Sequence, residues 1–155
     1  MSTLPPPRLE HIADLTIEIA APIEVGETGH GERRVIPITG GKVSGARLNG
    51  NIRPAGADYQ IVRPGGVAEL VACYVIEADD GALIYIENTG IRHGPPELIA
   101  RLRRGEPVDP KLIYFRTMPR FETASPKYAF LTRHLFIGVG ARHADRVELG
   151  LWMVL

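Results

Sequence analysis

Two apolar runs, Val67–Ala78 and Ala82–Asn88, flank the tripeptide Asp79-Asp80-Gly81. An Asp-Gly pair between β-prone runs signals a tight hairpin, because Gly adopts the positive φ of the turn without strain. With Asp80-Gly81 as a two-residue loop, Asp79 faces Ala82, Ile76 faces Tyr85 and Tyr74 faces Glu87. Cross-strand partners project to the same side of a sheet. This register places Tyr74, Tyr85 and Glu87 on one face and Val71, Cys73, Val75, Ile84 and Ile86 on the other. Neither face reads as an ordinary solvated one, which points to a closed or doubly covered sheet able to enclose a cavity.

The rest of the chain reads as short strands punctuated by 17 glycines and 13 prolines. Strands are expected over Leu9–Ile19, Arg33–Ile38, Ala57–Arg63, Leu112–Thr123, His134–Ala141 and Val147–Leu155, with Val25–Glu32 as a mobile loop. Gly40-Gly41 follows the second of these, and Lys42–Ile52 reads as extended backbone interrupted by Gly45 and Gly50, as at a bulge or barrel corner. One helix is expected near residues 95–104. Its first turn carries Pro95 and Pro96, Leu98, Ile99 and Leu102 form an apolar stripe, and Gly105 ends it. The predicted fold is all-β: a single antiparallel β-barrel of about eight strands with that one short helix, in one domain spanning residues 1–155. Closure removes exposed strand edges, and eight strands leave an interior that side chains fill or that holds one small ligand.

Composition narrows the classes of function. With 18 basic and 18 acidic residues the formal net charge is zero, so no electrostatic field recruits nucleic acid or an anionic membrane. The N-terminal Met1-Ser2-Thr3-Leu4-Pro5-Pro6-Pro7 lacks the pattern of a signal peptide, and no run is long and apolar enough for a membrane helix. A cytoplasmic location is the default expectation. Cys73 is the only cysteine and is read as a small buried hydrophobe. His11, His30, His93, His134 and His143 are widely spaced, with no metal-binding, phosphate-loop or serine-nucleophile motif. No metal and no cofactor is expected.

Several residues remain as candidates for chemistry. Asp58, mid-strand beside Tyr59 with Gln60 on its own face, is either an inward carboxyl with a raised pKa, suited to acid–base work, or a solvated carboxylate at a strand start. Tyr74 and Tyr85 with Glu87 either polarise a ligand oxygen in a dry cavity or sit at a rim. A one-residue slip of the turn would separate them. Arg116, Arg120 and Glu122 share a face with Tyr114 and either bind a substrate carboxylate or form a structural ion pair. Arg92 precedes the helix, where it can face a cavity mouth. Asn49, Gln60, Glu87, Arg92, Arg120, Phe121 and Glu122 are the expected ligand-binding set. Asp58, Tyr85, Tyr74 and Arg116 are the expected catalytic set.

The ordered series Gly40-Gly41-Lys42-Val43-Ser44-Gly45, Leu48-Asn49-Gly50, Gly56-Ala57-Asp58-Tyr59, Val67-Ala68-Glu69-Leu70, Asp80-Gly81-Ala82-Leu83-Ile84-Tyr85 and Tyr114–Thr123 resembles the domain-of-unknown-function 3237 family. The resemblance covers nearly the whole chain. It implies a β-barrel and carries no established general activity. Asp58, Arg116, Phe121 and Glu122 stand at motif positions. Tyr59 replaces a usual Trp and Thr132-Arg133 a usual Asn-Arg, changes that bear on pocket size and polarity.

Three functions are compatible with this reading. The leading one is a small-molecule-binding barrel performing cofactor-free acid–base chemistry, of isomerase, cyclase or lyase type, on a small, largely apolar metabolite. The others are a non-catalytic binder or carrier and a structural oligomeric subunit. The apolar character of both hairpin faces predicts a homodimer or higher homo-oligomer.

Overall fold

The computed structural model describes residues 1–155. It contains β1 (Leu9–Ile19), β2 (Ile23–Thr28), β3 (Gly31–Ser44), β4 (Gly50–Ile52), β5 (Gly56–Val62), β6 (Ala68–Ala78), β7 (Leu83–His93), α1 (Pro96–Arg103), β8 (Tyr114–Thr123), β9 (Phe136–Arg142) and β10 (Arg146–Val154). All strand pairs are antiparallel, and β1 pairs with both β10 and β3, which closes the sheet. The ten strands make eight staves. β4 and β5 lie end to end in the gap between β3 and β6, and β2 continues the line of β1 along the first half of β3. The expected antiparallel barrel is the fold observed, with the one α-helix close to where its prolines place it.

Three local expectations are corrected. Val25–Glu32 is an ordered hairpin of β2 and β3, in which the Thr28 hydroxyl donates to the Gly31 carbonyl at 2.8 Å. Its glycines supply a turn and a bulge, so they shape pairing instead of preventing it. β3 runs through Gly40-Gly41 without ending, because those residues pair with Glu18 and Ile17 of β1. The β6–β7 loop has three residues, Asp79-Asp80-Gly81. The Ala78 N–H donates to Ala82 O at 2.8 Å, and Gly81 takes φ +86°. A turn followed by one left-handed residue is the usual three-residue hairpin. It moves the register by one, pairing Tyr74 with Ile86 and Ile76 with Ile84.

That single-residue shift reassigns every side chain of β7. Ile84, Ile86, Asn88 and Arg92 are buried on the inside with Tyr74 and Ile76, while Tyr85, Glu87 and Ile91 lie outside. Cys73, expected to be buried, is half-buried on the outer face and pairs with Glu87.

The interior is filled unequally. Twenty buried residues form one core, among them Ile12, Leu15, Leu48, Ile76, Ile84, Ile86, Phe121, Phe136, Leu151 and Met153, plugged by Tyr128 and Leu131 of the 3-10 segment Pro126–Thr132. At the other end Ala68, Leu70, Leu102, Ile113 and Phe115 form a smaller cluster, against which Leu98 and Ile99 of α1 pack. One end is solid. The other, beneath α1, is hollow.

Candidate functional site

Strand alternation directs the residues of the hollow end inward in rows. Across β3, β5, β6 and β7, one row runs Ile36, Asp58, Ala72, Asn88; the next, continued onto β8, runs Arg34, Gln60, Leu70, Gly90, Thr117. A third row places Arg92 between Ala68 and Phe115. On β9 the inward positions are Phe136, Gly138, Gly140 and Arg142. The glycines leave room for their neighbours: a Cβ on Gly140 would stand 2.8 Å from the Phe115 ring, so glycine there admits Phe115 to the interior. The resulting cavity is lined by Asp58, Gln60, Tyr74, Asn88, Arg92, Thr117 and Arg142 over a wall that includes Ile17, Ile36, Leu70, Phe115 and Leu149. The cavity volume open to a water-sized molecule is about 40 Å³, with narrow clefts around it leading to the mouth.

Gln60 organises the polar side. Its amide donates to Asp58 Oδ2 at 2.8 Å, and its Oε1 accepts from Arg34 Nη1 at 3.5 Å, while Arg34 Nε donates to Glu24 at 2.9 Å. The second oxygen of Asp58 has no protein partner. Nor do Tyr74 Oη, Asn88 Oδ1, Thr117 Oγ1 and Arg142 Nη1, all buried and all on this cavity. Native proteins leave few buried polar atoms unpaired, and an unpaired atom costs about 1–3 kcal/mol. All five of these atoms belong to residues that line the same hollow.

The titratable groups are perturbed in a consistent sense. Burial raises the pKa of Asp58, opposed by the Gln60 hydrogen bond, by Arg92, by the Val71 backbone N–H and by Arg142. Burial, and secondarily Asp58, raises that of Tyr74, so its phenol stays a donor. Burial and the neighbouring Arg142 lower Arg92 to about 10, still cationic at neutral pH. Burial and Arg34 likewise lower Arg142.

Of the residues singled out in the sequence, Asp58, Tyr74, Gln60 and Arg92 line the cavity. Tyr85, Glu87, Arg116, Arg120 and Glu122 lie on the outer surface of β7 and β8. Tyr85 shares the outer face with Cys73, and the influence of that thiol is the main cause pushing its phenol up to about 12. The Arg116 guanidinium lies 5.4 Å from the Tyr114 ring centroid. Phe121 is in the solid core, 5.1 Å from Phe136 between ring centroids. Asn49 clasps the Gly45 loop, accepting from Gly45 N at 3.0 Å and donating to Gly45 O at 2.6 Å.

The sequence reading missed Asn88, Thr117 and Arg142. Each had a usable signal. Thr117 alternates with Ile113, Phe115 and Phe121, a polar residue on an apolar face. Arg142 continues the period-two series of Phe136, Gly138 and Gly140. Asn88 follows from Tyr74 once the turn has three residues.

Comparison with known proteins agrees on the architecture. An uncharacterised UPF0311 protein of Rhodopseudomonas palustris is 54% identical over 151 residues, covering 96% of this chain and 99% of its own. A crystal structure of a conserved protein of unknown function from the same species superposes with TM-score 0.95 at 51% identity, covering 98% of this chain and all of that one. A crystal structure described as an enzyme from Penicillium herquei superposes with TM-score 0.74 at 18% identity, covering 100% and 99% of the two chains, and shares the fold. With the family described as "Protein of unknown function (DUF3237)" matching residues 7–154, the chain belongs to that family.

Proposed function

We propose that the barrel binds a small, largely apolar organic molecule in the cavity beneath α1 and moves a proton on it without a cofactor. The observation that carries this reading is Asp58: a carboxyl in a mainly apolar hollow, one oxygen fixed by Gln60, the other free and facing the cavity. A raised carboxyl pKa brings the group toward neutral pH, where a general base and its conjugate acid are both useful. In an isomerisation, Asp58 takes a proton from a carbon beside a carbonyl. The bonding pair moves onto the carbonyl oxygen, which accepts a hydrogen bond from the Tyr74 hydroxyl. Protonated Asp58 then returns the proton at the far end of the enolate, so no atom is gained or lost. Donors fixed in a dry site stabilise developing negative charge better than water does. The superposition with a barrel described as an enzyme supports the reading at the level of fold.

The test is uptake of solvent deuterium into a panel of apolar ketones and enones, followed by mass spectrometry. Wild type is expected to exchange about 10²–10⁴-fold faster than Asp58→Asn, the usual contribution of a positioned acid–base group. Equal rates in the two proteins would remove Asp58 from the chemistry. Exchange with none of the panel, together with recovery of an unaltered co-purified ligand, would make the barrel a carrier.

A further inference from the structure

Beneath α1 the charges do not balance. Arg34 is 5% and Arg92 8% exposed, and Arg142 is partly buried beside them. Arg34 is paired with Glu24, and Arg103, on α1, with Glu32. Arg92 and Arg142 have no carboxylate within 4.0 Å. Both line the cavity that holds Asp58, and both, with Arg34 and Arg103, also line a smaller cleft bordered by Ile99 and Leu102. Three guanidiniums, Arg34, Arg92 and Arg142, therefore face at most two carboxylates, Glu24 and Asp58, even with Asp58 ionised. An uncompensated buried charge is costly, whereas a fold tolerates one readily where an ion of opposite sign completes it. Arg142 Nη1 is itself buried without a partner, and the amide oxygen of Asn88 and the hydroxyl of Thr117, each on a residue 5% exposed, flank the same space.

We propose that the ligand is a small organic monocarboxylate whose carboxylate sits between Arg92 and Arg142 and whose apolar body lies against Ile17, Ile36, Leu70 and Phe115. Guanidinium favours carboxylate because two parallel N–H donors match its two oxygens. With Asp58 ionised, as its role as base requires, the single excess positive charge matches a monoanion, and most of the remaining lining residues, among them Ile17, Ile36, Leu70 and Leu149, are hydrocarbon. The inference deepens the acid–base reading by naming its substrate class. It also gives a reason for the unusual arginines: they hold the carboxylate end still while Asp58 addresses a neighbouring carbon.

The experiment compares benzoate with its neutral isostere benzamide, and hexanoate with hexanamide, by calorimetric titration of the wild-type protein. Each anion is expected to bind at least tenfold more tightly than its amide, with affinity falling as salt rises. Arg142→Gln should abolish that preference, and Arg142→Lys should restore part of it; circular dichroism melts establish that both fold. Asp58→Asn should keep the preference for the anion, so loss of proton transfer and loss of anion binding are read separately. Equal binding of acid and amide by wild type would overturn the proposal, whatever the exchange assay shows. Tighter binding of inorganic phosphate than of benzoate would also overturn it, assigning the arginines to a phosphate instead.

Discussion

At the scale of single residues, the hollow end depends on side chains whose cost elsewhere would be prohibitive. Asp58 binds its proton more tightly in the folded chain than in the unfolded one, where the value is near 3.8. As pH rises from that value through the raised folded one, the native state holds more protons than the unfolded state, and stability falls. The groups that oppose this are the Gln60 amide, Arg92 on β7, the backbone N–H of Val71 on β6 and Arg142 on β9, while Tyr74 on β6 stays neutral. Asp58→Asn removes the loss, so thermal melts are expected to show the variant equal to wild type near pH 4 and more stable at pH 8. Gly140→Ala acts by crowding. Its Cβ would press on the Phe115 ring at 2.8 Å, and overpacking of this kind costs about 1–3 kcal/mol, read as a lower midpoint in urea. The candidate residues legible in the sequence were those whose alternation could be read locally. Asp58 and Gln60 lie opposite Tyr59, as their strand pattern demanded. Tyr85 was misplaced because its face depended on one loop residue.

At the scale of elements, the β6–β7 hairpin shows how a local turn governs a site residue, Asn88, seven positions beyond Gly81. Gly81 holds φ +86° with nothing within 4 Å of the position its Cβ would take, so its requirement is conformational alone. Gly81→Ala should cost about 1–2 kcal/mol from the left-handed backbone, lowering Tm by roughly 2–8 °C in a differential scanning measurement. An unchanged Tm would mean that the loop can adopt another turn. The prolines and apolar stripe of α1 specified a helix from the sequence, and Leu102 buries it against Leu70 and Phe115. What the helix covers was not readable, because Arg92 and Arg142 come from strands 50 residues apart in the chain.

At the scale of the whole molecule, the division into a solid and a hollow end makes core substitutions unequal. Ile84→Ala, in the fully buried cluster, should cost about 2–5 kcal/mol in denaturant unfolding. Leu70→Ala, which borders an existing cavity, should cost less and admit larger ligands. The homo-oligomer expected from the sequence is a proposal resting on the outer row Tyr59, Val71, Thr89 and Met118, which cross-strand pairing aligns over four strands. Met118 is 67% and Tyr59 45% exposed. Sedimentation at micromolar concentration should give a dimer that Met118→Asp dissociates, and a wild-type monomer would end the idea. Period-two alternation, turn residues and composition were enough to specify an antiparallel barrel with one helix, since each is a local property that closure merely satisfies. Which residues enclose the cavity depended on register and on staves distant in sequence meeting across the barrel. Arg142 faces Asp58 only because β9 and β5 belong to the same closed sheet, and no local pattern carries that information.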